Sequence, residues 1–501
     1  MNPPSPEPGN GFLQQKEVNI RQAISHNATW IFISRWSVRA IGVGSTIILA
    51  RVLAPEDFGL VAICLLLVGL AETIGREAQN LAVIRKQNLD RAFMDSAWTL
   101  AIIVGFVLGA GVFAAAPLVG HYFNEPRAVL LVQILSTRIF LMGFQNIGIA
   151  LYIKDFEFSR AFRFEILEKL VPVIITITLA FWLRNYWALA AGAVLGHAIA
   201  IFISFIVHDY RPKFCFSKIP EVWSFSIWVV LEKLAVFGTT RIDYFFIPAF
   251  GKATQIGHYH VGTELARMPT GELFLVLDRA LFPAYARLLD QPKELANAFI
   301  NILSVAAIIC LPVSVGFALV AGDAVRLLYG AQWIPMIPIV EVISVASGAA
   351  ALITVATLAL QAIGRSRMAA ILTGLQLLLL FIVLLSFSGN FDGVMDIAMV
   401  RLLTTAAVLP VSLICIQMIL SVSYIETLKA FWRPLTAVSA MTCVLLFVVP
   451  GDMDLPAAPR LALRSLLGAA VYAGAILLLW LAARKPPGAE RALMRVIGNR
   501  L

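Results

Sequence analysis

Arg35 and Arg39 stand one helical turn apart inside an apolar stretch covering residues 27–50. Positions i and i+4 share a helical face, so both guanidiniums project toward one partner. A guanidinium keeps its charge at every accessible pH, and its planar fork matches two oxygens of an anion. The chemistry on offer is anion binding. A charge near the middle of a bilayer costs about 2.5 to 3.5 kcal/mol on insertion scales, so the pair persists only where it meets water, a counter-ion or an anionic ligand.

The elements that must carry these arginines are membrane helices. Of 501 residues, 60% are hydrophobic and only 14% charged, a balance that no soluble domain shows. Fourteen windows of about 20 residues are apolar enough to span a bilayer. The first lies at 27–50, the fourth at 129–153 and the last at 461–483. The fold class is therefore an all-α integral membrane protein of about fourteen transmembrane helices. Its short connections leave no room for an extramembrane catalytic domain.

Lysines and arginines outside the windows fall mainly on one side, 23 against 7. The positive-inside rule then makes both termini cytoplasmic. The net charge of +9 faces an anionic inner leaflet and calls for no nucleic acid. Residues 1–26 are Pro-rich and without an apolar core, which predicts a disordered cytoplasmic tail, and residues 484–501 form a basic one. Five cysteines show neither a disulfide framework nor metal-ligand spacing. No GxxxxGK[ST] loop is present, which argues against ATP as the driving force.

A weak internal repeat organises the windows. The first ends in ILARVLAPEDFGLVAI and the seventh in YFFIPAFGKATQIGHYHVG; each exits through a Pro or Gly turn and opens the next helix with an apolar residue plus glycine, Phe58–Gly59 and Ile256–Gly257. The fourth and tenth windows also echo each other. The implied unit is six spans repeated in parallel, giving an N-lobe at 27–208, a C-lobe at 209–430 and two appended spans at 431–483.

The stretch LARVLAPEDFGLVAI resembles the first hairpin of the Wzx-type polysaccharide flippases, within the multidrug/oligosaccharidyl-lipid/polysaccharide exporter superfamily. TRIDYFFIPAFGKATQIGHYHVGTELARMP, LFPAYARL and LALQAIGRSRM are similar to later parts of the same family, and the colanic-acid and exopolysaccharide exporter branch is the most similar. The resemblance implies two six-helix lobes in a V around a central cavity. It implies transport of a polyprenyl-diphosphate-linked oligosaccharide from the cytoplasmic to the outer leaflet of a bacterial inner membrane. A polysaccharide polymerase and export machinery are the implied partners, beside membrane lipids.

Against that expectation stand nineteen charges inside the windows, too many to face lipid. Some have a same-helix partner: Glu72 with Arg76, Glu165 with Lys169, Glu264 with Arg267. Arg35, Arg39 and Arg138 have no acid within a turn. These three, with Arg267, are the candidate ligands for a diphosphate and its first sugars. The alternative is an interhelical salt bridge, such as Arg39 with Glu72 or Glu77. Pro269 and Gly271 follow Arg267 and predict a kink where alternating access could bend. No cofactor is expected; Glu72, Asp243 or Glu264 could couple transport to H+ or Na+, without a coordination pattern to choose among them. The alternatives to a polysaccharide flippase are a lipid II flippase or a multidrug exporter of the same superfamily, then a membrane-embedded oligosaccharide polymerase. A multidrug cavity should be acidic and aromatic, and a polymerase should carry a large outer loop.

Overall fold

The computed structural model describes residues 36–85, 89–155, 157–247, 252–286, 288–387, 393–449 and 455–483, with positions 33, 389, 391 and 453. Side chains are described over the same residues except 76–85, 158, 224–233, 272–284 and 286. Every regular element among them is helical: α1 (36–52), α2 (Pro55–Arg85), α3 (Arg91–Tyr122), α4 (Arg127–Met142), α5 (Ile149–Lys154), α6 (Phe158–Leu183), α7 (Trp187–Val207), α8 (Ile219–Arg241), α9 (Ala253–Ala286), α10 (Pro292–Leu328), α11 (Ile337–Ala362), α12 (Ser366–Phe387), α13 (Val394–Leu420), α14 (Tyr424–Phe447) and α15 (Ala457–Ala482). Short 3-10 turns follow α8 and α10. Ten helices among the described residues are long and apolar enough to cross a membrane. Helices satisfy their own backbone groups, which is what a bilayer interior demands. The count of fourteen spans remains a reading of the sequence.

Local chemistry explains the first hairpin. The Ala54 N–H donates to Asp57 Oδ2 at 3.0 Å, and Pro55 opens α2 where a missing N–H costs nothing. Glu56 and Asp57 sit at the positive end of the helix dipole. Gly59 serves packing: a Cβ there would lie 1.7 Å from Ala253 O, and one at Gly257 would lie 1.9 Å from Pro55 O. The two stretches that echo each other in sequence thus cross with their backbones in contact. Between α11 and α12, Gly364 takes the left-handed conformation at φ 83° while Arg365 N–H closes back on Leu360 O at 2.8 Å.

The chain divides into two compact units, one of residues 1–53, 67–121 and 126–234, the other of 54–66, 122–125 and 235–501. In the first unit, Gly192 and Gly196 of α7 let that helix close on α6, since added Cβ atoms would meet Thr176 Oγ1 at 2.0 Å and Pro172 Cα at 2.4 Å. The fourth window is broken rather than continuous. Asn146, between α4 and α5, spends its side chain on the end of α7 and beyond: Nδ2 donates to Tyr210 O at 2.9 Å and His208 O at 3.3 Å, and Oδ1 accepts from Gly148 N–H at 2.9 Å. The extended segment after α7 is pinned to α3 through Asp95 Oδ1, which accepts from Tyr210 Oη at 2.8 Å and Lys213 N–H at 2.9 Å, and through Thr99 Oγ1, which accepts from Cys215 N–H at 2.9 Å. Burial and the Asp95 bond push the Tyr210 phenol above its ordinary range, so it stays a donor.

In the second unit, α9, α10, α11 and α13 enclose an apolar core that includes Phe299, Leu303, Leu352, Val355, Leu360 and Ile416. Helices α14 and α15 pack on α10 through Met441, Leu445 and Tyr472, whose hydroxyl donates to Ile308 O at 2.8 Å. One polar contact reinforces that apolar seam. Asp323 of α10, 1% exposed, holds Arg460 Nε at 2.6 Å on one oxygen and Arg464 Nη1 at 3.0 Å on the other.

Candidate functional site

Polar side chains gather inside each unit. In the first, Arg138 of α4 lies 3.0 Å from Glu72 of α2, an ion pair whose angle falls short of a hydrogen bond. Arg138 therefore has an acid partner across helices although none lies on its own helix. Arg39 is half-buried on α1. Gly42, three residues on and on the same face, has its Cβ position 3.7 Å from Lys169 Cε of α6, so a second cation approaches the face that carries Arg39. Arg35 lies outside the described residues, as does the side chain of Arg76.

The larger cluster belongs to the second unit. Helix α8 ends at Arg241, and the 3-10 turn Ile242–Phe245 carries Asp243 and Tyr244. Helix α9 supplies His260, Glu264 and Arg267, spaced i, i+4 and i+7 and so on one face, with Tyr259 beside them. Helix α13 supplies Arg401.

Asp243 is completely buried. Its Oδ2 accepts from Arg401 Nη1 and from Tyr259 Oη, the latter at 2.6 Å. Arg401 Nη2 donates to Thr239 O at 2.7 Å. Glu264 takes Arg241 as its partner, Nη2 to Oε1 at 3.0 Å, in place of the same-helix pairing with Arg267 that spacing suggested. The Arg241 guanidinium also lies 5.5 Å from the centre of the Tyr244 ring, and Tyr244 Oη shares a 3.0 Å hydrogen bond with His260 Nδ1.

The cluster holds three guanidiniums against two carboxylates. Both acids are engaged by Arg241 and Arg401, and Arg267 is left over: its Nη2 is buried with no hydrogen-bond partner. Asp243 Oδ1 is likewise buried and without a partner. A half-buried cation with a buried donor left open is the arrangement that an anion completes, because a charged donor buried without a partner is costly.

Helix α9 runs unbroken through Pro269 and Gly271. Thr270 Oγ1 reaches back to Arg267 O at 3.4 Å, and a Cβ at Gly271 would meet nothing within 4 Å, so packing does not require that glycine. Asp396 closes the start of α13, accepting Gly393 N–H at 3.2 Å.

Sequence reasoning named Asp243, Glu264 and Arg267 but not Tyr259, His260, Arg241 or Arg401 as part of the site. The available signal was charge without a same-helix partner: Arg401 has no acid within one turn on α13, as Arg138 has none on α4. Tyr259 and His260 gave none, since polar aromatics are common in membrane helices.

The chain and its fold have counterparts among known proteins. The chain is 25% identical to the lipopolysaccharide biosynthesis protein WzxC of Escherichia coli, over 64% of this chain and 66% of that protein. It is 22% identical to the succinoglycan biosynthesis transport protein ExoT of Rhizobium meliloti, over 62% of this chain and 64% of that one. The chain thus spans just under two-thirds of the length of these relatives. Among solved structures it shares the fold of the lipid II flippase MurJ in an inward closed conformation, with TM-score 0.75 and 13% identity over 90% of this chain and 99% of that one. An inward-facing multidrug transporter of the MOP superfamily matches at TM-score 0.59, 17% identical over 76% and 94%. With residues 48–338, more than half its length, matching the family described as polysaccharide biosynthesis protein, this chain belongs to that family.

Proposed function

We propose that the protein flips a polyprenyl-diphosphate-linked oligosaccharide repeat unit from the cytoplasmic to the outer leaflet of a bacterial inner membrane, by alternating access and without covalent chemistry. The product feeds cell-surface or exopolysaccharide synthesis, handed on to a polymerase and export machinery. Both termini lie in the cytoplasm, fourteen spans cross the membrane, and the two six-span lobes carry the movement. The observation that carries this reading is Arg267, a half-buried arginine whose Nη2 is buried without a hydrogen-bond partner, in a cluster of net positive charge. A diphosphate supplies the missing acceptors, and arginine binds it through two oxygens at once. Arg35 and Arg39 offer the same chemistry from α1 and its preceding residues, and Arg138 joins them where a diphosphate outcompetes the single charge of Glu72. Pro269 and Gly271 serve as the hinge of α9.

For the driving force, the electrical reading is the better supported. Glu72, Asp243 and Glu264, the acids through which H+ or Na+ coupling would run, each already hold an arginine. An inside-negative potential favours outward movement of an anion by about 2.3 kcal/mol per charge per 100 mV.

The test is deletion of the gene in a cell with no redundant flippase, followed by a lectin- or glycosidase-accessibility assay of lipid-linked oligosaccharide orientation. The repeat unit should accumulate facing the cytoplasm. Wild-type appearance in the outer leaflet refutes the function, and accumulation of lipid II in place of the repeat unit reassigns the substrate.

A further inference from the structure

We propose that Arg401 is a positioning residue: by holding Asp243, it keeps Arg267 uncompensated and open to a diphosphate. The inference rests on the reading of Arg267 as a phosphate ligand and adds the reason that its charge is available.

Among the described residues of the cluster, Asp243 is the acid with a buried oxygen still open to Arg267, since Glu264 is hydrogen-bonded to Arg241. Asp243 and Arg267 lie within electrostatic reach of each other, and so do Arg267 and Arg401. Each of the first two carries an orphan polar atom, Oδ1 on the aspartate and Nη2 on the arginine, both buried. They are complementary, yet unpaired. What keeps them apart is the set of contacts on the other side of the carboxylate. Arg401 engages Oδ2 and is itself fixed by Thr239 O at 2.7 Å, while Tyr259 Oη donates to the same oxygen at 2.6 Å. The aspartate is thus turned and neutralised from α13 and α9 together.

Removing the Arg401 charge changes the balance. A fully buried carboxylate that loses its counter-ion is driven to the nearest other cation. Arg241 is already committed to Glu264, so the cation within reach that has a free buried donor is Arg267, which would close on Oδ1. The diphosphate would then have to break a buried ion pair to reach Arg267, and affinity would fall although no residue touching the ligand had changed. Removing the Asp243 charge at the same time releases Arg267 again.

The full-length protein in lipid nanodiscs, with undecaprenyl diphosphate as the probe, tests this through four variants compared by Kd and by thermal melting. Arg267→Gln and Arg401→Gln should each weaken binding by about tenfold or more, the range expected for a hydrogen bond to a charged group. Arg401→Lys, which keeps the charge on Asp243, and the double variant Asp243→Asn/Arg401→Gln should both stay within about threefold of wild type. If Arg401→Gln binds like wild type while Arg267→Gln does not, Arg401 has no positioning role and the phosphate reading stands alone. A double variant as weak as Arg401→Gln overturns the inference, because Arg401 then acts as ligand or scaffold. Unchanged binding in Arg267→Gln, or no binding by wild type, removes the phosphate reading and this inference with it. Should Arg401→Gln fail to fold, the comparison of Arg401→Lys with the double variant decides the matter by the same thresholds.

Discussion

Asp243 and Asp323 are both buried acids in the second unit, each held by arginine, and they end in opposite states. Asp323 has a guanidinium on each oxygen, from Arg460 and Arg464, and joins α10 to α15. Asp243 has one oxygen doubly engaged and the other empty, with a third arginine of its cluster unpaired nearby. The difference separates two uses of one chemistry. A carboxylate saturated on both oxygens is a clamp whose worth is read in stability. A cluster that leaves a cation over is a poised site, whose worth is read in binding and whose upkeep is a loss of stability.

The contrast can be broken by mutation, beginning with the largest effect. Asp323→Ala strands two buried guanidiniums and should cost about 3–5 kcal/mol of stability, seen as a lower Tm, while the folded fraction binds undecaprenyl diphosphate as wild type does. Arg267→Gln should do the reverse: Tm unchanged or higher, because a charged donor buried without a partner is gone, with affinity for the diphosphate reduced through loss of about 1.5–3 kcal/mol of charge-assisted bonding. A fall in Tm like that of Asp323→Ala would make Arg267 a structural residue and erase the distinction. Tyr259→Phe removes one donor to Asp243 and should lower stability by about 1.5–3 kcal/mol at most, since Arg401 remains. Glu264→Gln should have the smallest effect, about 0.2–1 kcal/mol, because that side chain is 42% exposed and its pairing with Arg241 is screened.

What could be read from the sequence was local. The run Ala54, Pro55, Glu56, Asp57 announces a helix start because capping is decided within four residues, and the structure shows Asp57 on the Ala54 N–H. The echo between Phe58–Gly59 and Ile256–Gly257 was read as the mark of an internal repeat; that the two glycines meet in packing is something the structure adds. Arg267 was legible as a candidate phosphate ligand, although spacing also offered it Glu264 as a partner.

The partners themselves were not. Spacing proposes only neighbours on one helix, hence Glu72 with Arg76 and Glu264 with Arg267. The structure places Arg138 and Arg241, each from another helix, 3.0 Å from those acids. Asn146 was silent for the same reason: its contacts lie 58 to 64 residues ahead, and they account for the break between α4 and α5 that an apolar window conceals.

The central claim is that uncompensated guanidinium charge at Arg267 binds the diphosphate during flipping. Its most direct test is the rate at which proteoliposomes holding wild type or Arg267→Gln expose a fluorescent polyprenyl-diphosphate oligosaccharide to an external quencher under an imposed potential. The wild type should translocate it faster as the potential rises, and Arg267→Gln should lose most of that rate while melting no lower. A variant that translocates at the wild-type rate at equal incorporation would contradict the claim.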